Sequence, residues 1–323
     1  MKKVTRADVA RDAGVTPTIV SFVVNNNRYV SQEKRQRVLD SIKRLGYIPD
    51  ATARALKGKS SGHILLLINN LHSPHYLELI DEIENQSFSR GCIASLCRMR
   101  KDEDFLKNIL SRNYDAVLMD GGNSSRNVAQ SLISSGIPTV ILQSSVLEEF
   151  DGLYGIIDTG LYEGTKECID QIYSKGRKSI AYIHRMNHEL DDRDYRYKGY
   201  LDSVRNDPII IAGHTNNEEL AKNVIEAYKK YHFDSLFCRD DNLAITALFS
   251  LQKEGISIPD DVSVVGVDAT KKGREINPTL ASLKIDRASI VSTFFDQVEM
   301  LKKGEKPESV CLKAEFVEGE SLK

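Results

Sequence analysis

What the chain lacks narrows its possible functions first. Its 323 residues contain no run of 18 apolar positions, so no helix is expected to span a membrane. Cys92, Cys97, Cys168, Cys238 and Cys311 are odd in number and form no CxxC pair, which argues against a disulfide framework or a cysteine-rich zinc site. No apolar leader precedes the first helical pattern, so a cytoplasmic location is the expectation. GxGxxG is absent. Gly58-Lys59-Ser60-Ser61-Gly62 fits GxSxG, but a nucleophile elbow runs from strand to helix and this segment runs from helix to strand. The same Gly-Lys-Ser lacks the upstream glycine of a phosphate loop. No paired acid/base set stands out, so an enzyme is not expected. His184 and His188, near Asp191 and Asp192, have ligand chemistry but fall in a loop after a strand; no metal or cofactor is expected there.

The formal net charge of −2 hides an asymmetry. Residues 1–60 hold 13 Lys and Arg against 5 Asp and Glu, a net of +8, whereas residues 61–323 hold 31 against 41, a net of −10. A basic head on an acidic body is the footprint of a nucleic-acid module joined to something else.

The head reads as helices with marked beginnings. Thr5 with Asp8 three residues on approximates a capping box, and Gly14 supplies a left-handed turn. Thr16 is a good N-cap, and Pro17 at the first helical position loses only an N–H without a helical partner. Val20, Val23 and Val24 fall on one stripe, leaving Thr18, Ser21, Phe22 and Asn25 on another face. Two short helices around a Gly-containing turn form a helix-turn-helix pattern. Ser31 is expected to cap a third helix, with Val38, Leu39, Ile42 and Leu45 as its apolar face and Gly46 as its stop. Asp50 would cap a short helix over Ala51–Leu56, and Gly58–Gly62 is a polar linker.

Beyond the linker, His63–Ile68 is a continuous apolar run, as expected of a parallel strand covered on both faces. Helix and strand patterns then alternate to about Val267, too many units for one small sheet. Two linked α/β lobes with parallel sheets are expected, with a ligand cleft at the carboxyl ends of the strands. The expected domains are 1–49 (DNA-binding head), 50–61 (hinge helix and linker) and 62–323 (two-lobed effector and dimerisation domain). Lobe one would take about 62–160 and 290–317; lobe two would take 161–289 and the C-terminal end.

The chain resembles the LacI/GalR (lactose-repressor/galactose-repressor) family of transcription regulators over essentially its full length. The residues carrying this are Asp8-Val9-Ala10, Ala13-Gly14-Val15, Val20-Ser21, Asn25-Asn26, Val30-Ser31, Arg37-Val38, Leu45-Gly46-Tyr47-Ile48-Pro49 and Ala53-Arg54-Ala55-Leu56. In the body they are Ser73-Pro74-His75-Tyr76, Gly136-Ile137-Pro138, Arg196, Gly199-Tyr200, Asp241 and Ile258-Pro259-Asp260-Asp261-Val262-Ser263-Val264-Val265-Gly266-Val267-Asp268; the match is loose over 184–194 and after 269. The resemblance implies an all-α helix-turn-helix head and hinge helix, followed by a two-lobed, periplasmic-binding-protein-like α/β effector domain.

It further implies a repressor that binds a pseudo-palindromic operator as a homodimer and responds to a sugar, sugar phosphate or similar small molecule. Thr16, Pro17, Thr18 and Phe22 would face bases, Thr5, Ser21, Asn25 and Ser31 would face phosphates, and Tyr29 would also bind DNA. Ala53, Arg54 and Leu56 would enter the minor groove, with Leu56 wedging a central base step. Many family members have Arg where this chain has Phe22, and Phe offers only apolar contact, for example to a thymine methyl; an unusual outer half-site is therefore expected. Phe22 as a core residue is the competing reading of the same spacing. For the effector, the resemblance points to His72, Ser73, His75, Tyr76, Gln143, Arg196, Asp241 and Asp268. Ser73 and His75 replace Asn and an aromatic, Asp240 precedes Asp241 where Asn, Ser or Gly is usual, and the chain has no Trp. Arg196 and Asp241 paired only with each other is the competing reading. Control by a partner protein, or a solute-binding role without DNA, are the alternatives.

Overall fold

The computed structural model describes residues 4–26, 28–48, 60–71, 73–100, 102–121, 126–184, 193–214 and 216–323. The chain forms two compact units, Met1–Ser61 and Gly62–Lys323.

The first unit contains α1 (Arg6–Asp12), α2 (Pro17–Asn25) and α3 (Gln32–Leu45) around Val9, Ala10, Ala13, Val20, Val23, Val38 and Tyr47. The capping box forms reciprocally: Asp8 N–H donates to Thr5 Oγ1 at 3.3 Å and Thr5 N–H donates to Asp8 Oδ2 at 3.0 Å. Gly14 turns the chain at φ +64°. Thr16 Oγ1 accepts from Ile19 N–H at 3.4 Å, with Pro17 in the first turn. Two details of α3 differ from expectation. Ser31 occupies the N-cap position, but its hydroxyl makes no capping bond. Leu39 is exposed, and the buried stripe runs through Val38, Ser41, Ile42 and Leu45 instead. Residue 39 lies about 100° around the helix from 38, outside the strip that meets α1, whereas Ser41 fits it and donates to Val9 O at 3.3 Å. The expected hinge helix, with Asp50, Ala53, Arg54 and Leu56, lies outside the described residues.

The second unit carries two six-stranded sheets. The first is built from β1 (His63–Ile68), β2 (Ile93–Arg98), β3 (Ala116–Gly121), β4 (Thr139–Gln143), β5 (Gly155–Asp158) and β11 (Val310–Cys311). Its order is β11-β5-β4-β3-β1-β2, with every pairing parallel. The second is built from β6 (Ile180–His184), β7 (Ile209–Ala212), β8 (Ser235–Cys238), β9 (Ser263–Val267), β10 (Ala281–Lys284) and β12 (Glu315–Val317). Its order is β12-β10-β9-β8-β6-β7, parallel except for the antiparallel β10–β12 pair.

Helices α4 (Pro74–Ser89), α5 (Glu103–Leu110) and α6 (Arg126–Ser134) follow strands of the first sheet. Helices α7 (Leu161–Ser174), α8 (Tyr195–Ser203), α9 (Asn217–Tyr231), α10 (Asp241–Lys253) and α11 (Lys271–Glu275) belong with the second. Helix α12 (Arg287–Lys302) returns to pack on α4, β4 and β5. The uninterrupted apolar run of β1 follows from coverage on both faces. Ile64, Leu66 and Ile68 join one core with Leu79 and Ile83, while Leu65 and Leu67 join another with Val117 and Leu132.

The chain passes between lobes three times: after β5, between β10 and α12, and between β11 and β12. The last passage corrects the expected lobe boundary at 317. Leu312 N–H still bonds Asp158 O at 2.8 Å in lobe one, but β12 already pairs with β10 in lobe two.

Candidate ligand cleft and nucleic-acid interface

Parallel strands bring their carboxyl ends to one edge, and there the two sheets enclose a cleft of about 690 Å³, open mouth included. Asn69 and Asn70 follow β1, Asp120 lies near the end of β3, Ser144 follows β4 and Thr159 follows β5; all line it. From the other lobe come Arg239 and Asp240 after β8, and Asp268 after β9. Ser73, His75 and Tyr76 at the start of α4, and Arg196 in the first turn of α8, complete the polar lining.

Both arginines share one carboxylate, which offsets one of their two charges. Arg196 donates from Nε to Asp194 Oδ1 at 2.9 Å and from Nη2 to Oδ2 at 2.8 Å. Arg239 reaches the same Oδ2 with Nε at 3.1 Å and Nη2 at 3.0 Å. Burial alone would raise the Asp194 carboxyl, but the charges of Arg196 and Arg239 outweigh it and hold it well below the usual carboxylate range. Arg196 thus pairs with Asp194, not Asp241, and its Nη1 is not used by that bridge.

Asp268 stands on a strained turn. It has φ +104° and Ala269 has φ +46°, conformations that L residues rarely adopt. The surroundings fix both. Asp268 N–H donates to Leu283 O at 2.8 Å, its carbonyl accepts from Arg287 Nη2 at 2.8 Å, and Ala269 N–H donates to Ser282 Oγ at 3.0 Å. Asp241 completes the clamp: its carboxylate accepts from Thr270 N–H at 2.6 Å, Thr270 Oγ1 at 2.8 Å and Ser282 Oγ at 2.7 Å. Burial pushes the Asp241 carboxyl up to about 6 against those three donors, leaving it ionised at neutral pH.

His75 Nδ1 lies 3.7 Å from Asp268 Oδ1, beyond hydrogen-bond reach. Burial, then Arg287 and Arg196, lower the imidazole well below its ordinary value; burial, then Asp241 and Asp240, raise the Asp268 carboxyl well above its own. Both shifts disfavour the charged forms, so burial works against an ion pair between the two. Tyr76 stacks edge-on against His75 at 5.1 Å, and burial, then Asp120, raise its phenol. Asp120 accepts from Asn69 Nδ2 at 2.8 Å. The lobes also touch directly. Tyr195 N–H donates to Ser144 O at 3.1 Å, Val146 N–H to Arg193 O at 2.9 Å, and Lys271 N–H to Glu78 Oε1 at 2.8 Å.

Of the residues expected at this site, Ser73, His75, Tyr76, Arg196 and Asp268 line the cleft. His72 lies outside the described residues. Gln143 turns away and donates from Nε2 to Tyr195 Oη at 2.6 Å. Asp241 lies beneath the lining, and its neighbour Asp240, the N-cap of α10, lines the cleft instead. Asn69, Asn70, Asp120, Ser144, Thr159, Arg239 and Asp240 were not anticipated. Their shared signal is position at or just past the end of a parallel strand.

In the head, Pro17 and Thr18 are exposed on the first turn of α2. Phe22, one turn on, is half-buried and lies outside the apolar cluster, which answers the core reading of that residue. Asn25 Nδ2 donates to Ser21 O at 2.6 Å and to Ser21 Oγ at 3.1 Å. Thr5 Oγ1 donates to Asp8 Oδ2 at 2.6 Å, so its hydroxyl proton is committed to the cap. Tyr29 is 93% exposed, and Ser31 is half-buried. Ala53, Arg54 and Leu56 fall outside the described residues.

Comparison with known proteins matches residues 5–50 to the model for bacterial regulatory proteins of the lacI family, and residues 169–322 to a periplasmic binding protein-like domain. The chain is 28% identical to the HTH-type transcriptional repressor PurR of Mannheimia succiniciproducens, covering 99% of this chain and 98% of that protein. It is 26% identical to the PurR repressor of Yersinia pestis, covering 98% and 96%. Among solved structures, the lac repressor dimer bound to operator and the anti-inducer ONPF superposes with a TM-score of 0.83 at 20% identity, covering 99% of each chain. The transcriptional regulator CelR–cellobiose complex gives 0.68 at 20% identity, covering 99% of this chain and 100% of that one.

Proposed function

This chain belongs to the LacI/GalR family of bacterial transcriptional regulators, and we propose that its operator affinity is set by a neutral sugar or close polyol held between its lobes. It is a sequence-specific DNA-binding repressor that acts as a homodimer on a pseudo-palindromic operator. It is not an enzyme and works in the cytoplasm, where its DNA is. The domains follow the division into a basic head, a hinge and linker, and a two-lobed body. Residues Ser73, His75, Tyr76, Arg196 and Asp268 of the expected set contact the effector, joined by Asp120, Arg239 and Asp240. Asp241 and Gln143 support the site from behind.

The observation that carries the neutral-ligand reading is the double ion pair on Asp194. A phosphate needs a cation whose charge is not already offset, and Asp194 takes up one of the two charges of Arg196 and Arg239. The lining adds Asp120 and Asp240, so a dianion would meet net repulsion. Hydroxyl groups meet a better match: Asn69 and Ser144 can each donate or accept, Thr159, whose hydroxyl donates to Gln143 O at 3.0 Å, can accept, and Asp120 and Asp240 accept. The cellobiose-bound CelR structure supports this choice.

Control requires the effector to bind two lobe arrangements unequally. His75 and Tyr76 start α4 in lobe one, Asp268 ends β9 in lobe two, and Arg287 touches both: its Nε faces His75 O at 3.4 Å and its Nη2 donates to Asp268 O. A ligand seated between Tyr76 and Asp268 therefore acts on the inter-lobe contacts themselves.

The test is thermal unfolding of the full chain against sugars, the same sugars as phosphates, polyols and purines. A ligand at 100-fold its dissociation constant adds about 2.7 kcal/mol, a shift of several degrees. A neutral sugar is expected to give it, its phosphate is not, and Asp120→Ala should remove it. A larger shift with the phosphate would sink the neutral-ligand reading. Silence across the panel with intact operator binding would favour a protein co-regulator.

A further inference from the structure

Beyond the α2 residues already assigned to DNA, the exposed face of that helix carries a guanidinium that comes from outside it. Arg28 Cζ lies 5.3 Å from the centre of the Phe22 ring, within cation–π range. Three features bring it there. Asn26 ends α2 in the left-handed conformation at φ 48°, which Asn tolerates. Its N–H bonds Val23 O, and its Oδ1 accepts from Arg35 Nη2 at 2.9 Å, so the reversal is anchored to α3. Arg28 then reaches back over Phe22, one turn along from Thr18 on the exposed side of the helix. Among the described residues, Arg28 has no carboxylate partner. Arg35 and Arg44, by contrast, bond Asn26 and Asp12.

We infer that Phe22 and Arg28 read DNA as one unit, the ring serving as a platform that aims the Arg28 guanidinium at a guanine edge in the outer half-site. The inference rests on the DNA-binding reading of the head. Its chemistry is direct. A guanidinium held over an aromatic face by cation–π attraction spends none of its N–H groups on the ring, and two of them match the O6 and N7 acceptors of guanine. Neither Pro17 nor Thr18 can present two parallel donors. The expectation of an unusual half-site, drawn from Phe22 alone, is thereby replaced by a conventional guanine contact made by another residue. A phosphate contact by Arg28 is the competing outcome, and the two differ in what a substitution does to sequence preference.

The experiment is operator selection by the full-length protein from a randomised duplex library, followed by titration of the selected site and its single-base variants at two salt concentrations. Wild type is expected to require guanine at one symmetric outer position. Arg28→Ala should weaken binding to that site by about 5- to 150-fold and leave the four bases there nearly equal, with preference elsewhere kept. Phe22→Leu, which keeps an apolar side chain but removes the π face, should relax the same position in the same direction by a smaller factor. If Arg28→Ala weakens all sequences alike and flattens the salt dependence by about one counterion, Arg28 is a phosphate contact and the inference fails. It fails equally if Phe22→Leu leaves preference at that position intact. Wild-type protein that selects no sequence would overturn the DNA-binding reading instead, and circular dichroism of each variant separates either result from a misfolded head.

Discussion

Asp194, Arg196 and Arg239 form an ion triad whose members are between 9% and 23% exposed. Removing the shared carboxylate leaves two guanidiniums facing each other in a desolvated site. Losing one partner of such a buried pair costs about 3–5 kcal/mol. Asp194→Asn is accordingly expected to lower the urea midpoint of the body strongly at pH 7. Its pH dependence has a fixed sign. The folded-state value lies below the unfolded one, so the Asp194 contribution is full above about pH 4, near the unfolded carboxyl value. It declines as pH falls through the folded value. The gap between wild type and Asp194→Asn should therefore narrow as the titration goes below pH 4; a constant gap down to pH 2 would refute this account. Asp241 carries the opposite sign, since burial raises it to about 6: its ionisation removes stability between about pH 4 and 6.

At the scale of elements, β2 is the edge of the first sheet, and the apolar side chains around it face solvent. Ile93 at its start is 72% exposed and Phe88 near the end of α4 is 85% exposed. An apolar edge strand is a pairing hazard unless something covers it. For the homodimer proposed above, the second copy is the occupant that fits. Phe88→Asp combined with Ile93→Asp is expected to shift the sedimentation of the protein from dimer to monomer and to weaken operator binding. A doubly substituted protein that stays dimeric would place the interface elsewhere. Elements also show where local pattern was sufficient. The capping box of Thr5 and Asp8, Pro17 at the head of α2 and the Gly46 stop of α3 all sit as their side-chain chemistry requires. Leu39 shows the limit, because an apolar residue beside a buried stripe cannot report which neighbouring helix it meets. The short strands β5, β11 and β12 show another limit: two to four residues carry too little periodicity to be read.

For the whole molecule, the division into two compact units predicts separable functions. A protein comprising residues 62–323 should keep the effector-induced thermal shift and lose operator binding, because the basic residues and the capped α2 are gone while the cleft is untouched. Loss of the thermal shift in a folded body would mean that the head contributes to the ligand site.

The sequence by itself determined the basic capped head and the alternating α/β body, because each rests on neighbours within a few positions: caps, turns, periodicity and local charge; the family followed from motifs spread over the whole chain. The family resemblance also pointed to Ser73, His75, Tyr76, Arg196 and Asp268, which line the cleft. Only the tertiary structure decided which carboxylate serves which purpose. Asp240 and Asp241 are adjacent in sequence, yet the first lines the cleft and the second clamps the strained turn of Asp268 through Thr270 and Ser282. Asp194 governs the cleft charge although the chain separates it from Arg239 by 45 positions. Phe22 acquires a guanidinium from Arg28 only because Asn26 reverses the backbone. Charge pairing and stacking act through space, and their partners are chosen by the packing of lobes and turns that no local pattern records.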